Sequence, residues 1–267
     1  MRHLLTLTAC LALCSAPAFA ADAADPYGPI TDVKILKPED KEDVKPTPPP
    51  DGATVLFDGK NLDKWVKADL KVEEGKAEGQ PAAWKLVDGN AMQVSGGNIM
   101  TKEMFPGPFH LHVEFRVPYM PQASGQGRGN SGVYVHGRYE VQVLDSYGLK
   151  SQNNDCGGIY TVAAPKENAC KAPTVWQSYD IDFHPPRCEN GKKVEPARMT
   201  VFHNGVKIHD DVKVTSDNTT AGLGGDPCKP GPIMLQDHGN PVQYRNVWIR
   251  PLTDEKPAKA DGDKGGK

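Results

Sequence analysis

FHLHVEFRVP, residues 109–118, alternates apolar and polar side chains at every second position. Alternate side chains of a β-strand share one face, so this segment has one apolar and one polar face. The apolar members are Leu111, Val113, Phe115 and Val117. The stretch therefore predicts a strand of a sheet that packs one face against a core and leaves the other face polar.

The same two-residue period recurs through the chain, between clusters of Gly, Pro and Asn. It is seen in SGVYVHG, RYEVQVLDS, WQSYDIDFH, ARMTVFHNG and YRNVWIR. No window shows a helical period, and the 267 residues include 24 prolines and 27 glycines. Asn204-Gly205 and Asp88-Gly89 are typical of tight turns between strands. We therefore expect an all-β fold, an antiparallel β-sandwich or barrel of many short strands.

The two ends of the chain differ from its middle. Residues 1–20 have a basic start, a Leu/Ala-rich run and Ala18-Phe19-Ala20, a pattern that predicts a signal peptide and hence a periplasmic or secreted protein. Residues 21–50 alternate prolines and charges and predict an extended linker. Residues 51–252 form the predicted domain, and 253–267 a disordered tail.

Bulk properties exclude two classes of partner. The formal net charge of −3 provides no basic surface for a phosphate backbone, so nucleic acid is not expected. The longest apolar run is shorter than the ~20 residues that a membrane-spanning helix needs, so no membrane-embedded domain is expected.

Four cysteines remain once the predicted signal peptide is removed. An even set in an oxidising compartment predicts disulfides, and three pairings are possible. We favour two local bridges, because each closes one excursion of the chain; they join Cys156 to Cys170 and Cys188 to Cys228. A zinc site is the alternative, but the sequence has no C-x2-C spacing to support it.

Polar side chains on the alternating segments are the first candidates for a binding face. Taken as one strand, residues 133–143 place five polar groups together, namely Tyr134, His136, Arg138, Glu140 and Gln142, and Glu114 lies on the polar face of the segment at 109–117. Such a row can simply face water. These rows contain no Lys, however, and combine rings with groups that form several hydrogen bonds, which favours a carbohydrate-binding face.

Asp145 does not fit the alternation that places Glu140 and Gln142 together. A β-bulge would return it to their face, and E-V-Q-V-L-D is similar to the bulged E-x-D-x-x-E of laminarinase-like glycosidases. Those enzymes use two carboxylates about 5 Å apart, whereas the middle position here is Gln142. The alternative role for Asp145 is an Asx-turn at the end of the strand.

Three further segments hold candidate groups. GQGRGNSG, residues 125–132, lacks the features of a phosphate-binding loop and places Asn130 at the rim of the polar face. The spacing of His110, His112 and Glu114 on one strand face is a weak signal for a metal, and we assign no metal or cofactor; a structural calcium stays open. Residues 231–252 add Gln236, His238 and Arg245.

Several of these segments together resemble the 3-keto-disaccharide hydrolase family. They are LFDGKNLDKWV (56–66), LHVEFRVP (111–118), GNSGVYVHGRYEVQVLDSYG (129–148), CGGIY (156–160), WQSYDIDFHPPR (176–187), VFHNGVKIHD (201–210) and LQDHGNPVQYRNVWIRPL (235–252). The resemblance covers the whole predicted domain. It implies a jelly roll of the concanavalin A-like lectin and glucanase type in a secreted or periplasmic carbohydrate protein.

The implied chemistry needs one base and no carboxylate pair. Once an oxidoreductase partner has converted the C3 hydroxyl of a sugar to a ketone, cleavage can proceed by elimination and hydration. We expect Glu140 to be the base, with Asp145 as second choice, and His238 to protonate the leaving oxygen. The predicted sugar-binding groups are Glu114, Asn130, Tyr134, His136, Arg138, Gln142, Gln236 and Arg245. A lectin-like module without turnover and a retaining glycosidase using Glu140 and Asp145 are the alternatives.

Overall fold

Fifteen β-strands make up the structure, a computed structural model that describes residues 25–68 and 79–252. They are β1 (Thr54–Phe57), β2 (Trp65–Lys67), β3 (Lys85–Val87), β4 (Ala91–Gln93), β5 (Ile99–Thr101), β6 (Phe109–Arg116), β7 (Ser131–Val135), β8 (Tyr139–Val143), β9 (Gln177–His184), β10 (Arg187–Glu189), β11 (Lys192–Glu195), β12 (Ala197–His203), β13 (Val206–Val214), β14 (Met234–Leu235) and β15 (Gln243–Pro251). Two short 3-10 turns cover Pro38–Lys41 and Gly125–Gly127. The predicted signal peptide and tail lie outside the described residues.

The strands form two antiparallel sheets and a small ribbon. The larger sheet has the order β13-β12-β9-β6-β15-β4-β3, with β1 also paired to β15. The smaller sheet has the order β2-β5-β14-β7-β8, and β10 pairs with β11. This is the predicted antiparallel β-sandwich. No helix in the described part of the chain is long and apolar enough to cross a membrane.

The core lies between the two sheets and follows the alternation in the sequence. Leu111, Val113 and Phe115 of β6 are fully buried, as are Val133 and Val141 of the smaller sheet. Apolar burial of this kind contributes about 25 cal/mol per Å² and is the main force that holds the sheets together. Because both sheets turn their apolar faces inward, their polar faces point away from each other.

Two turns between strands follow from local sequence. Asn204 and Gly205 join β12 to β13 with φ of 52° and 80°, the left-handed conformation that an Asn-Gly hairpin turn requires. His136 and Gly137 have φ of 53° and 63° and begin a turn between β7 and β8. The segment at 133–143 is therefore a hairpin, and our interpretation of it as one continuous strand is wrong.

Residues 25–50 contain no β-strand, and they pack along the domain. Thr47 N–H donates to Glu114 Oε1 at 3.2 Å, and Thr47 O accepts from the side chains of Asn246 and Trp248. Tyr27 Oη donates to Pro241 O at 2.6 Å. These contacts hold the segment against the larger sheet, so it is not a free linker between units.

The cysteines follow the predicted pairing in one case only. Cys188 and Cys228 form a disulfide with an S–S distance of 2.06 Å. Cys156 and Cys170 are buried free thiols, so our prediction of a bridge between them is wrong. Cys156 Sγ instead lies 3.0 Å from Tyr179 Oη, which gives its thiol a hydrogen-bond partner in the core.

Candidate functional site

A small pocket lies on the outward face of the smaller sheet. Tyr134 and Glu140 are direct cross-strand partners on β7 and β8, and Gly132 pairs with Gln142 beside them. Gln236 follows β14, and its N–H donates to Gly132 O at 3.0 Å. The pocket has a volume of about 120 Å³ and is lined by Gln126, Asn130, Tyr134, Glu140, Gln142, Tyr160, Thr220, Ala221, Gln236 and His238. The structure therefore brings together six of the sequence-predicted site residues.

Backbone contacts hold Glu140 in place at the pocket floor. Its N–H donates to Thr219 Oγ1 at 3.1 Å, and its carbonyl accepts from Tyr160 N–H at 3.1 Å. Both partners come from loops that pack over β8. The side chain is 2% exposed, so its carboxyl meets the pocket and little bulk water.

Gly132 provides the space that the Glu140 carboxyl occupies. A Cβ at position 132 would overlap Glu140 Oε1 and would lie 2.9 Å from Tyr134 Cε2. The φ of Gly132 is not in the left-handed region, so alanine would fit its backbone. The glycine is needed here for space and not for conformation.

The electrostatics of the pocket suit a proton acceptor. Burial raises the pKa of Glu140 from 4.5 to about 8, an effect that the Tyr134 hydroxyl opposes. Burial and the nearby Glu140 carboxyl also raise the pKa of Tyr134. A carboxyl with a pKa near neutrality exchanges protons readily under physiological conditions, as a general base must.

The raised pKa of Glu140 also predicts how stability depends on pH. Above pH 4.5 an unfolded chain loses this proton, whereas the folded chain keeps it until about pH 8, so the free energy of unfolding falls as pH rises between these values. We expect Glu140→Gln to remove this slope and to be more stable than the wild type at pH 9 by on the order of 3 kcal/mol. Urea unfolding at pH 5 and pH 9 measures the difference, and equal slopes for the two proteins would contradict it.

Amide and hydroxyl groups line the rest of the pocket. Gln142 Nε2 donates to Gln126 Oε1 at 3.0 Å, and Gln236 Nε2 donates to Tyr134 Oη at 3.1 Å. Asn130 Oδ1 is buried and has no hydrogen-bond partner among the described residues. No Lys or Arg is present among the lining residues that the structure describes. Such a surface binds neutral, hydroxyl-rich molecules.

His238 lies at the mouth of the pocket and is exposed. It follows Asp237, whose backbone N–H donates to Asn98 Oδ1 at 2.8 Å and whose carboxylate accepts from Gly97 N–H at 2.8 Å. These bonds fix the loop that holds His238 at the rim. From there the imidazole can reach a group bound in the pocket and the solvent outside.

Glu114 and Arg245 are not part of this pocket. They lie on β6 and β15, on the outward face of the larger sheet, and Arg245 Nε donates to Glu114 Oε2 at 2.6 Å. The two polar faces of the sandwich point in opposite directions, so these groups cannot share a ligand with Glu140. Their assignment to the sugar site is therefore wrong.

His110, His112 and Glu114, whose spacing gave the weak signal for a metal, belong to a network of ion pairs on the outward face of the larger sheet. His112 Nδ1 lies 2.7 Å from Asp180 Oδ1, and His110 Nδ1 lies 2.7 Å from Asp182 Oδ1. Burial lowers the pKa of His110, but hydrogen bonds to both aspartates outweigh it and raise the pKa to about 9. Each imidazole thus lies against an aspartate, and the described side chains on this face form a network of hydrogen-bonded charges.

The turn between β7 and β8 removes His136 and Arg138 from the predicted row. His136 packs in the core against Phe109 and Phe183, and burial lowers its pKa to about 3. Arg138 donates to the carbonyls of Gly224 and Lys229, each at 3.1 Å. Neither residue lines the pocket, and Arg138 instead supports the loop that forms one pocket wall.

Asp145 lies beyond the end of β8, and the register of β7 and β8 contains no bulge. Its Oδ2 pairs with Arg128 Nε at 3.1 Å, and its Oδ1 accepts from Tyr147 N–H at 3.4 Å. The carboxylate lines a different cavity from that of Glu140. Asp145 therefore forms the Asx-turn that was its alternative role. It does not take the catalytic role.

Four pocket residues were not singled out as site residues from the sequence. They are Gln126, in the 3-10 turn Gly125–Gly127, and Tyr160, Thr220 and Ala221, which come from loops. Tyr160 belongs to CGGIY, one of the segments that supported the family resemblance, so a signal existed for it. The other three have no local pattern that marks them, because the long-range packing of loops places them over β8.

Comparisons with known proteins agree with this architecture. The family match and the solved structures below support a carbohydrate-active protein of the hydrolase or lyase type. The chain belongs to the family of the 3-keto-alpha-glucoside-1,2-lyase-like domain, whose model matches residues 52–250. No curated protein matches the chain.

Two solved structures from Parabacteroides distasonis ATCC 8503 are similar to the chain, and each is described as a "putative glycosyl hydrolase". The first is 34% identical, with a TM-score of 0.66, and the match covers 81% of this chain and 97% of that one. The second is 19% identical, with a TM-score of 0.53 and coverage of 76% and 94%, and it supports the fold alone.

Proposed function

We propose that this protein cleaves the glycosidic bond of 3-keto-glycosides by elimination followed by hydration. The observation that carries the proposal is a single buried carboxyl, Glu140, in a small pocket of amides and hydroxyls. The raised pKa of Glu140 suits the removal of a proton that an adjacent ketone makes acidic.

Water is the only reagent that the reaction needs besides the substrate. The Glu140 carboxylate takes the C2 proton, and the electron pair forms an enolate on the C3 oxygen. The enolate re-forms the ketone as the bond from C1 to the glycosidic oxygen breaks, and the leaving oxygen takes a proton from His238. Water then adds to C1 of the enone and gives its proton to His238, and C2 regains a proton from Glu140.

Donors in the pocket can stabilise the enolate oxygen. Gln236 Nε2 and Gln142 Nε2 are amide donors in the pocket lining. The Tyr134 hydroxyl, on the cross-strand neighbour of Glu140, donates to Thr220 O at 3.2 Å and is a further donor. Fixed donors of this kind stabilise developing negative charge strongly in a site with little water. Asn130 Oδ1 is an acceptor for a sugar hydroxyl.

The size and charge of the pocket support a small neutral sugar. Pockets for drug-sized ligands have volumes of about 300–1,000 Å³, whereas this one has about 120 Å³, so it fits one sugar ring with the leaving group outside. The ketone must be made by a sugar oxidoreductase, which is the functional partner that we propose.

Paired substrates test the proposed function. The protein is incubated with a glucoside and with its 3-keto analogue, and release of the aglycone is followed. We expect cleavage of the keto substrate alone. Cleavage of both at similar rates would show a conventional glycosidase, and binding without cleavage of either would show a lectin; each outcome contradicts the proposal.

The role of His238 predicts a dependence on the leaving group. A leaving oxygen of low basicity needs little help from an acid, so we expect His238→Gln to lower kcat by about 10²-fold for a 3-keto alkyl glycoside. The loss should be several times smaller for the 3-keto nitrophenyl glycoside. Steady-state kinetics with both substrates measure this, and an equal loss for both would remove His238 from the role of acid.

A further inference from the structure

A second cluster of reactive side chains lies in the core, away from the pocket. Cys156, Cys170 and His203 each have one ligand atom within 4.8 Å of those of the other two, and all three residues are buried. Both cysteines are free thiols. They belong to the long segment between β8 and β9, whereas His203 is the last residue of β12 in the larger sheet. The cluster therefore joins a loop to a sheet.

Hydrogen bonds fix the tautomer of His203. Gln177 Oε1 accepts from the backbone N–H of Lys171 at 2.9 Å, which identifies this atom of the amide as the oxygen. His203 Nε2 lies 3.0 Å from the same oxygen and must therefore donate to it. In a neutral ring that donates through Nε2, Nδ1 holds the unprotonated lone pair.

That lone pair lies on the side of the ring that faces the cysteine segment. A Cβ placed on Gly157 would lie 3.8 Å from His203 Nδ1, so this nitrogen is next to the residue that follows Cys156. A histidine that binds a metal through one nitrogen commonly donates its other N–H to an oxygen of the protein. His203 has this arrangement, with Gln177 Oε1 as the oxygen.

We propose that Cys156, Cys170 and His203 form a structural site for Zn²⁺. Two thiolates and a neutral imidazole are a soft donor set that suits zinc, and the two negative charges balance the charge of the ion, which reduces the penalty for burying it. Tetrahedral Zn–S bonds of ~2.3 Å and Zn–N bonds of ~2.0 Å place the donors ~3.5–3.8 Å apart, so the three donors need to approach one another by at most about 1 Å. Tyr179 Oη, 3.0 Å from Cys156 Sγ, is an oxygen atom close to the cluster.

The proposed zinc site lies directly behind the pocket. Tyr179 Oη donates to Gln142 O at 2.7 Å, and Gly157 N–H donates to the same carbonyl at 2.9 Å. The side chain of Gln142 lines the pocket on the other face of that strand. Zinc at this place would fasten the segment after β8 to the larger sheet and hold the backbone of Gln142.

Metal analysis of the full chain tests the site independently of any enzymatic activity. The wild type, prepared with thiols reduced and Zn²⁺ supplied, is dialysed and its zinc content measured. We expect about one Zn²⁺ per chain, a lower melting temperature after chelation, and thiolate-to-metal absorption when Co²⁺ replaces Zn²⁺. Cys170→Ser and His203→Gln should each bind Zn²⁺ at least tenfold more weakly. The variant Cys188→Ser/Cys228→Ser should bind it as the wild type does.

The zinc content of the wild type tests the proposal even if a variant fails to fold. Absence of zinc from the dialysed wild type, with both thiols open to alkylation after unfolding, would overturn the proposal. A second wild-type sample, purified without reductant, would overturn it as well if Cys156 and Cys170 were joined in a disulfide. So would zinc binding that survives unchanged in a folded Cys170→Ser protein.

Discussion

Replacement of Glu140 by glutamine should lower kcat on a 3-keto-glycoside by about 10²–10⁴-fold, the usual contribution of a general base. Glutamine keeps the shape of the side chain but cannot take the C2 proton. Wild-type activity should rise with pH towards the Glu140 pKa of about 8, since only the carboxylate acts. Kinetics across pH 5–9 measure both effects.

Two controls accompany this experiment. One is the affinity of the glutamine variant for the substrate, and the other is the substitution of a second carboxylate. The glutamine variant should bind the keto substrate with an affinity near that of the wild type, which separates loss of the base from loss of the fold. Asp145→Asn should keep activity within about tenfold, far less than the loss of a general base, because Asp145 pairs with Arg128 outside the pocket. Glu140→Gln activity within tenfold of the wild type would assign the base to another residue.

Gly132→Ala should lower kcat by about 10²-fold, the effect expected when a catalytic group is displaced by about 1 Å. The new methyl group would occupy the space of Glu140 Oε1 and force the carboxyl away from its position. Because alanine suits the backbone at this position, the fold should survive, and thermal unfolding checks this.

The matched control for this substitution is Gly127→Ala. A Cβ at Gly127 meets no atom within 4 Å, although the residue follows Gln126 of the pocket wall. We expect this variant to keep activity close to that of the wild type. Equal activity of the two alanine variants would show that the close contact at Gly132 does not position the base.

The strands and the core could be predicted because alternation is a local property. β6, β9 and β12 lie within the alternating segments, and the Asn204-Gly205 turn was visible in two residues. Alternation does not show which sheet a strand joins. Since the polar faces of a sandwich point in opposite directions, Glu114 and Glu140 looked equivalent in the sequence and lie on opposite sides of the molecule.

The sequence predicts the residues at the centre of the pocket but not those that form its walls. Glu140 and Gln142 lie on one short strand, so their shared face follows from the sequence. The turn at His136-Gly137-Arg138 has its signal in Gly137, whose φ of 63° suits glycine. Thr220 reaches the pocket through a loop held by Arg138, a long-range contact that no local pattern predicts.

The fate of the C2 hydrogen tests the central claim most directly. The 3-keto-glycoside is cleaved in D₂O to low conversion, and the sugar product is examined for deuterium at C2, with product held in D₂O without enzyme as the blank. Water enters the pocket between elimination and hydration, so the Glu140 carboxyl exchanges its proton with D₂O, and the mechanism predicts deuterium at C2 in the product above the blank. A product that is cleaved at C1 and keeps its original C2 hydrogen would contradict the elimination and leave Glu140 without its proposed role.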